Sequence, residues 1–309
     1  MSSVTHILLP VFGLILAGYL CRRSGALGAA AASELNRFVV WLCLPALLFK
    51  ATATASWAEI WHPGFVATFS LSTIAVFLVV LVWRLRTARP LVDASIDGLS
   101  AAYANTGYIG IPLCVLVLGD EGLVPALVAT LIVVCVLFAI AVVLVEVGLQ
   151  AESRVRDAVG KVLWALARNP LVVAPVAGML WAISGSSIPQ PATKFLTLLG
   201  DATIPCALVS LGAFLTQEHA SNSRRTAATL TIAKLLVQPV VTIILAVYVF
   251  ALPPLWAKAA VMLSALPTGT GPFMLAEFYR REASVVADTI LYSTLGSLVT
   301  LTLCLFWIH

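Results

Sequence analysis

Long apolar runs alternate with short polar gaps along the whole chain. A helix that crosses a bilayer needs roughly 20 mostly apolar residues. Ten such runs fall near 3–21, 33–50, 64–83, 94–118, 122–147, 170–185, 194–216, 226–251, 255–279 and 283–308, the sixth being short. The pattern predicts an all-α polytopic membrane protein. The first run, Val4 to Cys21, has no basic leader and no small-residue cleavage site, so it reads as a retained first helix and not as a secretory signal. The longest polar gap, Gly148 to Asn169, holds Glu152, Arg154, Arg156, Asp157, Lys161 and Arg168. It divides the chain into a first half (1–147), a connecting loop (148–169) and a second half (170–309), with no separate soluble domain.

The two halves share punctuation at a constant offset of 160 residues. Pro10 matches Pro170, Ala17-Gly18 matches Ala177-Gly178, Ser24-Gly25 matches Ser184-Gly185, Pro45 matches Pro205, and Pro112 matches Pro272. Leucine and alanine matches come cheaply in an apolar chain. Prolines and glycines at one offset do not, because they fix backbone geometry. The offset maps the first five spans onto the last five, and an odd number of spans reverses the second half in the membrane. An inverted repeat is therefore expected, an architecture shared by several secondary transporters.

Within the fourth and ninth runs the helical pattern is interrupted. One holds Asn105-Thr106-Gly107-Tyr108-Ile109-Gly110-Ile111-Pro112; its mate holds Pro267-Thr268-Gly269-Thr270-Gly271-Pro272. Proline removes a backbone donor, and glycine costs about 1 kcal/mol relative to alanine inside a helix. Unwound backbone at mid-membrane is tolerated only inside protein or beside a water-filled cavity. Two breaks related by the repeat would approach each other, and their half-helix N-termini would aim partial positive charge at the gap. Asn105, Thr106, Gly107, Gly110, Pro112, Pro267, Thr268, Gly269, Thr270 and Pro272 are the candidate substrate-binding residues. The plainer alternative is a pair of kinked helices packed by small residues.

Ionisable groups at membrane depth are costly and so become candidates as well. Lys234 and Gln238 share a face of the eighth span ahead of Pro239, and Lys234 either attracts an anion or snorkels to the surface. Asp201, shortly before Pro205, is either a coupling group or a partner for a polar break. Asp97, Glu146 and Asp288 lie near span ends and read as interfacial. The four histidines (His6, His62, His219, His309) also lie near span ends. They suggest neither a metal cluster nor a proton relay.

Composition agrees with the class: 61% of the 309 residues are hydrophobic and 10% charged, against about 25% charged in soluble domains. The net charge of +4 is carried by basic residues in short gaps, which excludes a nucleic-acid footprint. Gaps after odd-numbered spans, with Arg37 early in the second span, hold fourteen Lys and Arg; gaps after even-numbered spans hold Lys50, Lys194 and Lys258. Cytoplasmic loops are the ones enriched in Lys and Arg. Both termini are therefore expected on the non-cytoplasmic side of the cell (inner) membrane. The six cysteines form no CxxC and read as small buried apolar groups. No metal site, cofactor or catalytic residue is indicated.

Several segments resemble the auxin efflux carrier family, which includes bacterial members labelled malonate or malate transporters and the plant PIN proteins. They are LNRFVVWLCLPALLF (35–49), NTGYIGIPLCVLVLG (105–119), ARNPLVVAPVAGML (167–180), LLGDATIPCALVSLGAFL (198–215), KLLVQP (234–239) and ALPTGTGPFMLAEFY (265–279). The resemblance implies ten helices in a five-plus-five inverted repeat with the fourth and ninth crossed, moving carboxylate-bearing solutes by an elevator-like cycle. It assigns the crossover amide and proline to Asn105 and Pro112, and the second crossover to Pro267 and Pro272. The chain departs from the pattern where family members often carry a second asparagine; here Thr268, Gly269 and Thr270 stand.

The function expected is transport of a small organic anion, a mono- or dicarboxylate or an auxin-like weak acid, by alternating access. Proton coupling and a homodimer are left open. A sodium-coupled symporter of the bile-acid-carrier type is the alternative, less favoured because the nearest acid to a break is Glu277, five residues past Pro272. A channel or an intramembrane enzyme stands further off: neither GxSxG, HExxH nor an acid pair is present.

Overall fold

The computed structural model describes residues 2–54, 62–150, 164, 167–168, 170–214, 216 and 221–308. Among them the regular structure is all helical, apart from an isolated bridge between Ala104 and Thr268. The expected loop 148–169 lies largely outside the described residues.

The first half comprises α1 (Ser2–Arg23), α2 (Ala31–Phe38), α3 (Leu44–Ala53), α4 (Pro63–Arg86), α5 (Leu91–Ala102), α6 (Ile111–Leu118), α7 (Leu123–Leu131) and α8 (Phe138–Leu149). The second comprises α9 (Pro170–Ile183), α10 (Gln190–Phe214), α11 (Ser221–Ile232), α12 (Gln238–Ile243), α13 (Pro254–Ser264), α14 (Gly271–Phe278) and α15 (Ser284–Ile308). Wide π turns at Val39–Cys43, Ile132–Leu137 and Ala233–Val237 carry α2 into α3, α7 into α8 and α11 into α12 without ending the helix.

Six helical stretches are long and apolar enough to cross a membrane: Ala31–Lys50, Pro63–Arg86, Leu123–Leu149, Gln190–Ser210, Arg224–Val249 and Ser284–Cys304. Three of the other expected spans fall short of that length for visible reasons. The run at 94–118 is divided between α5 and α6, the run at 255–279 between α13 and α14, and the sixth is the short helix α9. Large apolar side chains such as Leu9, Val79, Leu180 and Ile183 stand more than half exposed, a surface that suits acyl chains and not water.

Helices α1, α2, α3, α9 and α10 pack on one another, while α4–α8 and α11–α15 form a second group. Small residues set the contacts within the first group, as they do where membrane helices approach closely. A Cβ on Gly18 of α1 would lie 2.2 Å from the Val209 carbonyl oxygen of α10; one on Gly178 of α9 would lie 2.5 Å from the Phe49 carbonyl oxygen of α3. The two contacts exchange under the 160-residue offset, 18 with 178 and 49 with 209. The helix ends repeat too. Ser24 Oγ donates to the Cys21 carbonyl at 3.2 Å and Ser184 Oγ to the Trp181 carbonyl at 2.7 Å, and each serine precedes a left-handed glycine, Gly25 (φ 81°) or Gly185 (φ 67°).

Buried carboxylates in the second group take side-chain partners. Arg84 of α4 donates to Asp97 of α5 at 2.6 Å, and Tyr279 donates to Glu146 of α8 at 2.5 Å. Asp97, Glu146 and Asp288 are buried. Helix packing covers them, and an end position in sequence does not show that.

Candidate functional site

The two interrupted runs meet. Helix α5 ends at Ala102 and α13 at Ser264, and the extended residues that follow run antiparallel past each other. Asn105 N–H donates to the Pro267 carbonyl at 2.9 Å and Gly269 N–H to the Tyr103 carbonyl at 3.0 Å. Thr268 closes the crossing: its N–H donates to Ser293 Oγ of α15 at 3.0 Å, and its hydroxyl donates to the Ser100 carbonyl of α5 at 2.9 Å. Backbone groups freed from the helices are thus satisfied within the protein, as membrane burial requires. Glycine is needed here for space. A Cβ on Gly269 would lie 2.9 Å from the Tyr103 ring, and one on Gly271 2.5 Å from Tyr103 Cζ.

The break in the first half is shorter than the sequence suggests and lies earlier. Tyr103 is extended, Asn105 turns the chain at φ −77° and ψ 59°, and Thr106–Gly110 is already a wide helical turn that runs on into α6, with Pro112 near their junction. Pro272 stands in the first turn of α14. Pro272 occupies a place where its missing N–H would have no intrahelical acceptor, at the start of its half-helix. Pro112 instead follows the wide turn inside a half-helix that already begins at Thr106.

Exposure sorts the candidates. Asn105 and Thr270 are partly exposed and Gly107 is exposed, whereas Thr106, Gly110, Pro267, Thr268, Gly269 and Pro272 are buried. The buried ones build the crossing and the exposed ones can be touched. The Asn105 carbonyl accepts from Ile109 and Gly110, leaving its side chain without a hydrogen-bond partner among the described residues. Thr106 Oγ1 is buried, also without a partner among them.

Lys234 and Gln238 take up the negative ends of the half-helices. Lys234 is fully buried and its Nζ donates to the Ser264 carbonyl at the end of α13, at 2.6 Å. Gln238 Nε2 donates to Thr73 Oγ1 of α4 at 3.1 Å and reaches the Ala102 carbonyl at the end of α5 at 3.5 Å. Carbonyls at a helix C-terminus carry partial negative charge, and a donor there offsets it. The positive ends at Thr106 and Gly271 are then left to dominate the gap. Lys234 therefore does not snorkel. Asp201 is exposed on α10, in the first helix group, and no contact brings it to the crossing.

Sequence reasoning missed Ser100, Tyr103, Ser264, Ser293 and Thr73. They are ordinary residues on apolar helices, and only their partners give them a role. A cavity of about 690 Å³ lies away from the crossing, between α2 and the end of α14. Among the described residues no group of three or more metal-ligating side chains comes together.

Apolar helices, lipid-facing surface and an internal polar crossing define a membrane protein of the transport class. A family model described as membrane transport protein matches residues 3–305. The chain belongs to that family, the auxin efflux carrier family of the resemblance. It is 29% identical over 310 residues, covering 100% of this chain and 97% of the other, to a Rhizobium meliloti (strain 1021) protein whose name makes it a candidate malonate transporter. It is 27% identical over 304 residues, 97% of this chain and 96% of the other, to an uncharacterized transporter of Methanothermobacter thermautotrophicus. Auxin efflux carrier component 8 of Arabidopsis thaliana is 27% identical over 138 residues, 43% of this chain and 37% of that protein. The names are those of transporters and not of enzymes.

Proposed function

We propose that the chain is a secondary carrier of a small organic anion, with Asn105, Gly107 and Thr270 receiving the solute at the crossing. The observation that carries this reading is the meeting of Tyr103–Asn105 with Pro267–Gly269, which brings two half-helix N-termini to a partly exposed polar point. First-turn N–H groups lack intrahelical acceptors and favour an anion. The lysine and glutamine on the opposite helix ends oppose any competing negative field. A carboxylate is the matching ligand, and the name of the Rhizobium relative makes malonate the first solute to test.

Ten membrane spans in a five-plus-five inverted repeat support alternating access. The reciprocal contacts of Gly18 with Val209 and Gly178 with Phe49 favour the repeat. So do the matched proline caps of α5 and α13: Pro90 has φ −57° and ψ 149°, Pro253 φ −53° and ψ 148°. In this reading α1–α3, α9 and α10 stay fixed while the other group carries the crossing across the bilayer. Charge bias sets both termini outside the cell (inner) membrane. Coupling by protons fits better than by sodium, since Glu277 stands at the far half of α14 and not at the gap. A homodimer is compatible with this arrangement.

The test is uptake of radiolabelled malonate into proteoliposomes, with and without pH and sodium gradients. Asn105→Ala lowers the initial rate at least tenfold while the protein elutes and melts as wild type does. Full activity in that variant moves the site elsewhere.

A further inference from the structure

The cavity at the end of α14 is lined by Asn36, Arg37 and Trp41 from the first helix group and by Glu277, Arg280 and Arg281 from the second. Its volume, about 690 Å³, lies within the range of small-molecule sites. Its charges are unequally engaged. Arg281 donates twice to Asp93, at 2.8 and 2.7 Å. Arg37 makes only a 3.4 Å contact with Glu34, both side chains more than half exposed. Arg280 is exposed and makes no ion pair with any described residue.

The backbone adds an independent sign. At the end of α14, Arg280 N–H donates to the Glu277 carbonyl at 3.1 Å and Arg281 N–H to the Ala276 carbonyl at 2.8 Å, with Arg280 at φ 53°. That is the helix-ending motif whose left-handed position glycine ordinarily fills. A side chain there is strained, and glycine would relieve it. Ala88 and Ala251 adopt left-handed φ elsewhere, but neither brings a functional group.

We propose that this cavity is a second anion site, taking a small dicarboxylate with one carboxylate on Arg37 and the other on Arg280 before the solute reaches the crossing. The proposal rests on the carrier reading above. Guanidinium forks match carboxylates in two-point geometry. The Trp41 and Phe278 rings, 6.0 Å apart, give the carbon chain an apolar side. Glu277 on the same wall offsets part of the positive charge, which disfavours compact anions of higher charge. Because Arg37 and Arg280 belong to different helix groups, a bound dianion spans the boundary that must shift during transport.

Equilibrium binding of radiolabelled malonate to the purified full chain in phosphatidylcholine nanodiscs tests this. Wild type titrates two sites. Arg37→Gln/Arg280→Gln keeps one, Asn105→Ala keeps the other, and Arg280→Lys, which keeps the charge but loses the fork, retains both with the second weakened less than in Arg280→Gln. Arg280→Gln alone weakens the second site about tenfold, the loss of one charge-assisted contact. Two sites with unchanged affinities in the double variant overturn the proposal, as does a wild type with no malonate site or with one site that vanishes in Asn105→Ala. Malonate sites that disappear when phosphatidylglycerol is added to the discs assign the cavity to lipid and overturn it too. If Asn105→Ala keeps both sites while the arginine variant loses one, the crossing is misassigned and this cavity stands.

Discussion

Replacing Gly271 by alanine places a methyl group where the crossing has no room for it. The new Cβ would lie 2.5 Å from Tyr103 Cζ and 2.8 Å from both Cε2 and the hydroxyl oxygen. Carbon atoms in good contact sit about 3.5–4.0 Å apart, so the ring must retreat by roughly 1 Å. It has little room to do so. Tyr103 is buried, Phe138 meets it edge-on at 6.1 Å, and Gly269 lies against the same ring with Cβ distances of 2.9 and 3.0 Å. Overpacking of this kind costs about 1–3 kcal/mol. Tyr103→Leu removes the outer ring atoms that the methyl group strikes. The double variant should therefore recover at least about 1 kcal/mol relative to the sum of the single costs. Calorimetric melts of the purified variants measure the stability coupling, and malonate uptake measures its functional counterpart. Gly271→Ala that melts and transports as wild type does, or single costs that simply add, would refute this account of the crossing.

Lys234→Met keeps the stem but removes the donor to the Ser264 carbonyl. It should cost about 1–3 kcal/mol of stability, the range for a buried acceptor left unpaired, and raise the KM for an anionic solute because the negative helix end is no longer offset. A raised KM with an unaltered melt would place the lysine on the path instead. Arg84→Met leaves Asp97 buried without its partner and should cost about 3–5 kcal/mol, read by thermal melt. Arg84→Met/Asp97→Leu should recover most of that loss, and a double variant as unstable as the single would show that the pair is not the cause.

The class of fold was legible because hydrophobic length is a direct physical requirement of the bilayer. The crossing was legible for a similar reason. Pro112, Pro272 and the glycines around them restrict backbone geometry wherever they stand, and their offset ties one break to the other. Their detailed role was not. Proline suggests a kink in either run, whereas Pro272 starts its half-helix and Pro112 follows a wide turn inside one, and these places cannot be told apart without knowing where the preceding helix stops. Lys234 was marked by its depth alone. Its partner is a carbonyl 30 residues away, and that of Gln238 lies 136 residues away. Side-chain donors to distant helix ends leave no local pattern. Asp201 was singled out on the same ground of depth, and packing leaves it outside the crossing. Arg280 carries its signal in a left-handed backbone, which is invisible in a residue other than glycine.

The central claim is that the solute sits where the two breaks meet. A single cysteine at Thr270, in a chain whose six native cysteines are replaced by serine or alanine, tests this by the rate of modification with a small charged thiol reagent. Thr270 is partly exposed, so the thiol is reachable. Saturating malonate, or whichever carboxylate that background is first shown to transport, is predicted to slow labelling severalfold and in proportion to its occupancy. A labelling rate that the transported solute leaves unchanged would contradict the account.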